Sequence, residues 1–302
     1  MKIISKSKIR VTNSKNRIIN FKKVTILGVG LLGASFALAM KKYKLCVEVM
    51  GFGRREENLL KAKKRGIIDS FDLDPVKVCH GADLIIFATP VGSFIDITRR
   101  IVSSLKKGSI VTDVGSVKGR LVRDMEALMP EGVYFIGGHP IAGSDRSGIE
   151  TASADIFFGA KCIITPTERT DRDALEKIIR LWETFGSVVK TIDPDEHDRV
   201  YASVSHLPHL LAYAIVNTVA DIDRSFLKFS GQGFLDTTRI ASSSPELWRD
   251  ICLLNRDNLL ESLEVFKNSL ERLSGYLRTN DSESLEREFE KARALRESLG
   301  KD

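Results

Sequence analysis

The sequence predicts an α/β fold in which an N-terminal doubly wound parallel sheet is followed by an all-helical domain. Three observations predict it. From Val24 onward, short β-rich apolar runs alternate with longer amphipathic stretches, the pattern of βαβ units. Between the first run and the first such stretch stands Gly28-Val29-Gly30-Leu31-Leu32-Gly33. After Ile192 the strand signal stops and the remaining chain is helical in pattern.

Taken in order, strands are expected at residues 24–29, 47–52, 84–89, 110–114, 133–136, 161–165 and 188–192. A helix opens after the glycine motif, and others are expected at 59–65, 93–105, 117–129 and 171–185, each with apolar positions at helical spacing and charges on the other face. Asp171 stands where an N-cap belongs. Asp193-Pro194-Asp195 punctuates the chain, and helices follow at 196–204, 209–220, 245–272 and 282–299. The run Leu210-Leu211-Ala212-Tyr213-Ala214-Ile215-Val216 is apolar on nearly every side, so its helix is expected to be buried all round, with a subunit interface as the natural cover. The organisation is therefore a basic N-terminal tail (1–20), a nucleotide-binding domain (21–192) and a helical substrate and dimerisation domain (193–302).

With 302 residues and 43% apolar content the chain can bury a sizeable core. Its net charge of +6 is misleading, because eight Lys and Arg residues precede Val24 without one acid and the remainder is slightly acidic. The tail reads as a solvated extension, not as a nucleic-acid or lipid-binding arm. No secretory signal or membrane span is read in the chain. Cys46, Cys79, Cys162 and Cys252 are widely spaced, which argues against a disulfide framework and a thiolate metal site and fits a reducing cytoplasm.

The glycine motif follows a strand and opens a helix, the placement that makes a dinucleotide site credible. Gly28 permits the tight turn, Gly30 lets a pyrophosphate approach Leu31 and Leu32 at the helix start, and Gly33 allows close packing. The second strand ends Phe52-Gly53-Arg54-Arg55 with no acid for an adenosine ribose, and Arg54 and Arg55 suit a 2′-phosphate. NADP is therefore favoured over NAD, which stays open. Thr89, Pro90 and Asp113 lie at C-terminal strand ends, the edge where such sheets bind ligands, and are further cofactor candidates. Gly137-Gly138-His139-Pro140 sets a histidine among glycines at another strand end, suited to accept a hydroxyl proton as hydride leaves the same carbon.

These motifs, with Asp113 to Lys118, Gly138 to Gly143, Ser205-His206-Leu207-Pro208-His209, Thr238-Arg239-Ile240-Ala241 and Leu247-Trp248-Arg249-Asp250 in that order, closely resemble the prephenate, arogenate and cyclohexadienyl dehydrogenases. The resemblance implies a Rossmann domain joined to a helical dimerisation domain, an active site in the cleft between them, and a homodimer. It implies oxidative decarboxylation of prephenate to 4-hydroxyphenylpyruvate, or of arogenate to tyrosine, with hydride passed to NAD(P). His139 becomes the catalytic base and Ser116 its support. Arg239 binds a substrate carboxylate; His209, Ser205, Trp248 and Asp145 line the pocket or its gate. Any feedback by tyrosine is expected to act at or near the active site.

Two departures from the family pattern are the missing acid after Phe52 and the basic tail. His206 and His209 have metal-like spacing, yet Pro208 intervenes and no third ligand motif lies nearby, so no metal is expected. Pro208 instead suits the first turn of a helix. His80 and His197 read as surface or capping residues. A β-hydroxyacid dehydrogenase or imine reductase joins similar domains, and a nicotinamide sensor would need only the cofactor site. The set His139, Ser116 and Arg239 is one that a sensor would not need.

Overall fold

The computed structural model describes residues 20–143 and 148–299. Eight strands, β1 Phe21–Leu27, β2 Cys46–Phe52, β3 Ser70–Phe71, β4 Leu84–Phe87, β5 Ile110–Asp113, β6 Tyr134–Pro140, β7 Lys161–Thr165 and β8 Val188–Thr191, form one sheet of order β3-β2-β1-β4-β5-β6-β7-β8. Among and around them lie α1 Leu31–Lys42, α2 Glu56–Lys64, α3 Pro75–Cys79, α4 Phe94–Ile101, α5 Gly119–Leu128 and α6 Arg172–Thr184. The helical part comprises α7 Pro194–Tyr201, α8 Leu207–Asp223, α9 Gln232–Thr238, α10 Pro245–Leu254, α11 Arg256–Thr279 and α12 Ser282–Ser298.

Strand side chains alternate between two cores, as buried strands covered on both faces must. Val24, Ile26, Leu84 and Ile86 join α1 and α6 on one face, where Phe36, Phe157, Trp182 and Phe185 meet edge to face. Leu27, Ile85, Phe87 and Val111 join α3, α4 and α5 on the other, and Trp248 and Ile251 of α10 complete that second core. The helical part is thus fastened to the sheet through apolar contact.

Most pairings are parallel, but β6 and β7 run antiparallel. A parallel partner would need a crossover helix. Among the described residues, the connection from β6 to β7 holds only a 3₁₀ turn at Ile149–Thr151, so the chain doubles back. The two-residue β3, the five-residue α3 and the seven-residue α9 are too short for periodicity to reveal. The long helix expected at 245–272 is two helices, because the chain kinks at Asn255. Asn255 is buried and its amide donates to the Asp198 carbonyl at 2.8 Å, with the same nitrogen 3.0 Å from His206 Nδ1.

Residues 202–206 form a π turn, so α7 runs on into α8 with His206 swung inward. Asp193 caps α7 through bonds from Asp195 and Glu196, and Asp171 caps α6 through Ala174. Within one chain only Ala212 of α8 is buried, while Ile215 and Ile222 are exposed. Much of its apolar surface is open in one chain, which leaves the cover expected from a subunit interface to a second copy.

Two glycines are demanded by close approach. Gly28 has φ +101°, and a Cβ there would lie 2.6 Å from the Ala88 carbonyl carbon and oxygen. At Gly33 a Cβ would meet the Gly28 oxygen at 2.1 Å, whereas at Gly30 it would enter open space. Gly33→Ala should therefore destabilise the fold by roughly 1–3 kcal/mol, read as a lower urea midpoint, and Gly30→Ala should leave the midpoint unchanged. Equal midpoints for the two variants would contradict this packing role.

Candidate functional site

The sheet order reverses between β1 and β4, and the C-terminal ends of β1, β4, β5 and β6 meet along one edge. Gly28 to Gly33 lie at this edge. Gly30 is the extended N-cap of α1, and the first turn carries no acid. Its helix-start N–H groups and the open space at Gly30 fit a pyrophosphate. At the β2 tip Arg54 is exposed and lies 3.5 Å from Glu246, while Arg55 is the exposed N-cap residue of α2. Thr89 Oγ1 accepts a bond from Ser93 at 2.9 Å, and Ser93 also bonds the Pro90 carbonyl, which shapes the loop after β4.

Asp113 stands at the end of β5 on this same edge. The side chain is buried, its oxygens accepting from the Lys118 ammonium and from the backbone N–H groups of Gly115 and Gly138. Burial pushes its carboxyl up, against the opposing pull of these donors. It ties the loop after β5 to β6, next to His139.

His139 is 8% exposed, and its Nδ1 lies 2.8 Å from His197 Nε2. His197 is fully buried on α7, which corrects the expectation of a surface or capping role. Its Nδ1 lies 2.8 Å from Asp198 Oδ1, and that oxygen also accepts the Lys118 backbone N–H at 2.7 Å. Tyr201, one turn further on, places its ring 4.8 Å from His139 and 4.5 Å from His197. Nothing in the flanking residues of His197 announces this: it is brought to His139 by the packing of α7. His80 is exposed at the end of α3.

Ser116 sits half-buried in the loop between β5 and α5, and among the described residues no hydrogen bond joins its hydroxyl to His139. Its backbone carbonyl faces His206. His206 and His209 point to different partners. His209 stacks on Trp248 with ring centres 3.5 Å apart, and its Nδ1 donates to the Ser205 carbonyl at 3.0 Å. Trp248 is both a core residue and the platform for His209. Arg239 is exposed in the 3₁₀ turn after α9, near enough to His209 for its charge to act there. Asp145 lies outside the described residues. Among them, no group of three or more His, Cys, Asp or Glu residues could hold a metal ion.

Burial, reinforced by His197, Lys118 and His206, holds the His139 imidazole well below its usual value near 6.5. His197 is likewise lowered by burial and by Lys118, and burial lowers His206 to about 4. Burial raises Asp198 to about 6. The consequence for stability has a definite sign. A histidine kept neutral in the fold gains its proton on unfolding, so each costs about 1.4 kcal/mol per pH unit once the pH drops below 6.5. Asp198, between about 6 and its unfolded value, and Asp113, also raised, act oppositely, and three histidines outweigh these two carboxyls. The urea midpoint should therefore be clearly lower at pH 5 than at pH 7; an unchanged midpoint would show that these imidazoles are not held neutral.

Comparison with known proteins gives the same picture over most of the length. The nucleotide-binding domain of prephenate dehydrogenase matches residues 36–191, and the dimerization domain of prephenate dehydrogenase matches residues 193–291. The chain is similar to the prephenate dehydrogenase of Bacillus subtilis, 34% identical over 93% of this chain and 77% of that protein. It is also similar to the cyclohexadienyl dehydrogenase of Zymomonas mobilis, 30% identical over 93% of this chain and 97% of that protein. The crystal structure of prephenate dehydrogenase from A. aeolicus in complex with hydroxyphenyl propionate and NAD+ has a TM-score of 0.89 and 36% identity, covering 94% of this chain and all of that one. On these matches, which span both the sheet and the helices, the chain belongs to the prephenate dehydrogenase family.

Proposed function

We propose that the protein oxidises and decarboxylates prephenate, arogenate or both in tyrosine biosynthesis, with hydride passed to a nicotinamide dinucleotide. The observation that carries this reading is a buried, neutral imidazole, His139, at the same strand edge as the glycine turn that opens α1. When bound, the cofactor supplies the hydride acceptor. The chain must supply a base for the ring hydroxyl, a cation for a carboxylate and a site that orients the ring against the nicotinamide. Loss of carbon dioxide then yields an aromatic phenol, which makes the reaction effectively irreversible.

In this reading Gly28, Gly30, Leu31, Leu32 and Gly33 hold the pyrophosphate, with Thr89 and Pro90 shaping the loop beside it. His139 accepts the hydroxyl proton at Nε2, the nitrogen not turned to His197. Ser116 lies in the adjoining loop and meets the hydroxyl end of the substrate. Arg239 grips a carboxylate, and Ser205, His209 and Trp248 form the pocket wall. The same ring with a keto-acid or amino-acid side chain fits this chemistry, so both substrates are proposed.

Arg54 and Arg55, with no acid between Phe52 and Arg54, support a preference for NADP, although the A. aeolicus relative was solved with NAD+. The exposed apolar surface of α8 and the dimerization-domain match support a homodimer. Four free cysteines support work in a reducing cytoplasm, and among the described residues no helix is long and apolar enough to cross a membrane.

The direct test is the initial rate of nicotinamide reduction with prephenate and arogenate, each paired with NAD and with NADP. Activity is expected in at least one pairing, higher with NADP; silence in all four from folded, cofactor-binding protein would overturn the reading. His139→Asn should retain cofactor affinity while turnover falls by about two to four orders of magnitude. Sedimentation at micromolar concentration should give twice the chain mass, and a monomer would remove the homodimer.

A further inference from the structure

The imidazole of His139 has two nitrogens, and only one arrangement of its proton leaves a base facing the substrate. A neutral ring that donates from Nδ1 keeps a lone pair on Nε2; the opposite tautomer presents Nε2–H and cannot accept a proton there. Whatever bonds Nδ1 therefore decides whether the ring can serve. That partner is His197 Nε2, at 2.8 Å.

His197 is itself a neutral ring with one proton to place, since it is fully buried and burial holds its imidazole low. Its Nδ1 faces Asp198 Oδ1 at 2.8 Å. The same oxygen already accepts the Lys118 backbone N–H at 2.7 Å, so it is fixed as an acceptor at the N-terminus of α5. The other carboxylate oxygen lies so close to α5 that a Cβ on Gly119 would come within 2.4 Å of it. The Asp198 carbonyl is bonded by Asn255 as well, so this residue is pinned at both ends. Among the described residues, the other charged and titratable neighbours are Lys118 with its partner Asp113, His206 from the π turn, Tyr201 and Cys162 beside the rings, and Asp195 near Asp198.

We propose that His197 and Asp198 are positioning residues that set the tautomer of His139. Asp198 Oδ1 accepts the His197 Nδ1 proton; His197 Nε2, left with its lone pair, accepts the His139 Nδ1 proton; His139 Nε2 is thereby kept free for the substrate hydroxyl. In the reaction the hydroxyl O–H bond breaks and its proton goes to Nε2. The O–H electron pair closes the carbonyl as the C–H pair leaves as hydride to the nicotinamide. The imidazolium so formed is stabilised through His197 by the Asp198 carboxylate. Because His197 and Asp198 belong to the first helix after the sheet domain, the base is oriented by the domain that carries the substrate residues Arg239 and His209. The inference rests on His139 being the base.

Nitrogen-15 spectra of the five histidines, with His139 assigned through His139→Asn, read the tautomer without any turnover. The wild-type His139 should show a protonated Nδ1 and an unprotonated Nε2 at pH 7.5; the reverse would overturn the relay. Asp198→Ala and His197→Phe should shift His139 toward the Nε2–H form and lower kcat by about 10- to 100-fold, with KM for the ring substrate changed by less than about threefold. Because the Lys118 N–H requires an acceptor at the Oδ1 position, Asp198→Asn should keep its amide oxygen there and retain the Nδ1–H form, with kcat within about tenfold of wild type. In a His197→Gln background Asp198→Ala should have no further effect on the His139 tautomer, because no imidazole remains to relay it. If the tautomer stays fixed in Asp198→Ala and His197→Phe, the relay fails. If the tautomer switches while kcat holds, the relay stands as structure and the assignment of His139 as base fails instead.

Discussion

The site is organised around a buried charge pair that crosses three elements. Asp113 ends β5, Lys118 precedes α5, and the backbone N–H of Gly138 in β6 donates to the same carboxylate. Both side chains are essentially sealed from solvent. Removing one partner would strand the other and cost about 3–5 kcal/mol, so the geometry is held tightly although the pair adds little net stability. Its effect is positional. It curls the loop that carries Ser116 and holds Gly138 against β5, with His139 the next residue. The Lys118 backbone N–H then reaches across to Asp198, so one residue serves the sheet with its side chain and the helical part with its main chain.

That division explains why the two parts of the chain meet at a polar seam inside an apolar frame. Trp248 and Ile251 press α10 into the core beneath α4 and α5, which excludes water but specifies no register. Register comes from directional bonds: Lys118 to Asp198, Asn255 to the Asp198 carbonyl, and His139 to His197. Buried polar groups are costly unless satisfied, so each of these bonds penalises any shift of α7 along the sheet edge. Asn255 makes these contacts from the break between α10 and α11, where its backbone leaves the helical region.

Much of this architecture was legible from sequence because buried parallel strands and amphipathic helices write strong periodic signals. The glycine motif was legible for another reason: Gly28 and Gly33 each answer a contact that a side chain cannot tolerate, while Gly30 leaves the approach to the helix start open. The antiparallel return of β7, the break at Asn255 and the two-residue β3 were not legible. They depend on tertiary partners or on segments too short to show a period. His197 was missed for the same reason, since a histidine in a charged helix start reads as surface until the packing of α7 is known. Asp113 was legible as a site-edge residue but not as a buried counter-ion, because its partner Lys118 is drawn inward only by the fold. The apolar α8 was read correctly as apolar, yet a sequence cannot say whether its cover lies within one chain or beyond it.

The same frame accounts for the electrostatic character of the centre. His139, His197 and His206 cluster in one buried region, and Lys118 adds a positive charge there. A protonated imidazole would repel this cation and lose its hydration, so the cluster is kept neutral by its surroundings and not by a proton donor. A neutral cluster suits the proposed step, in which a proton is received: His139 is unprotonated beforehand, and Asp198, a carboxylate that Lys118 does not pair with its side chain, lies beyond His197. The cation proposed for a substrate carboxylate, Arg239, stands elsewhere, beside the His209–Trp248 stack, where exposure keeps its charge cheap. In the proposed mechanism the proton acceptor is thus buried and the anion-binding cation exposed, and the charge of Arg239 is not among those that shift His139.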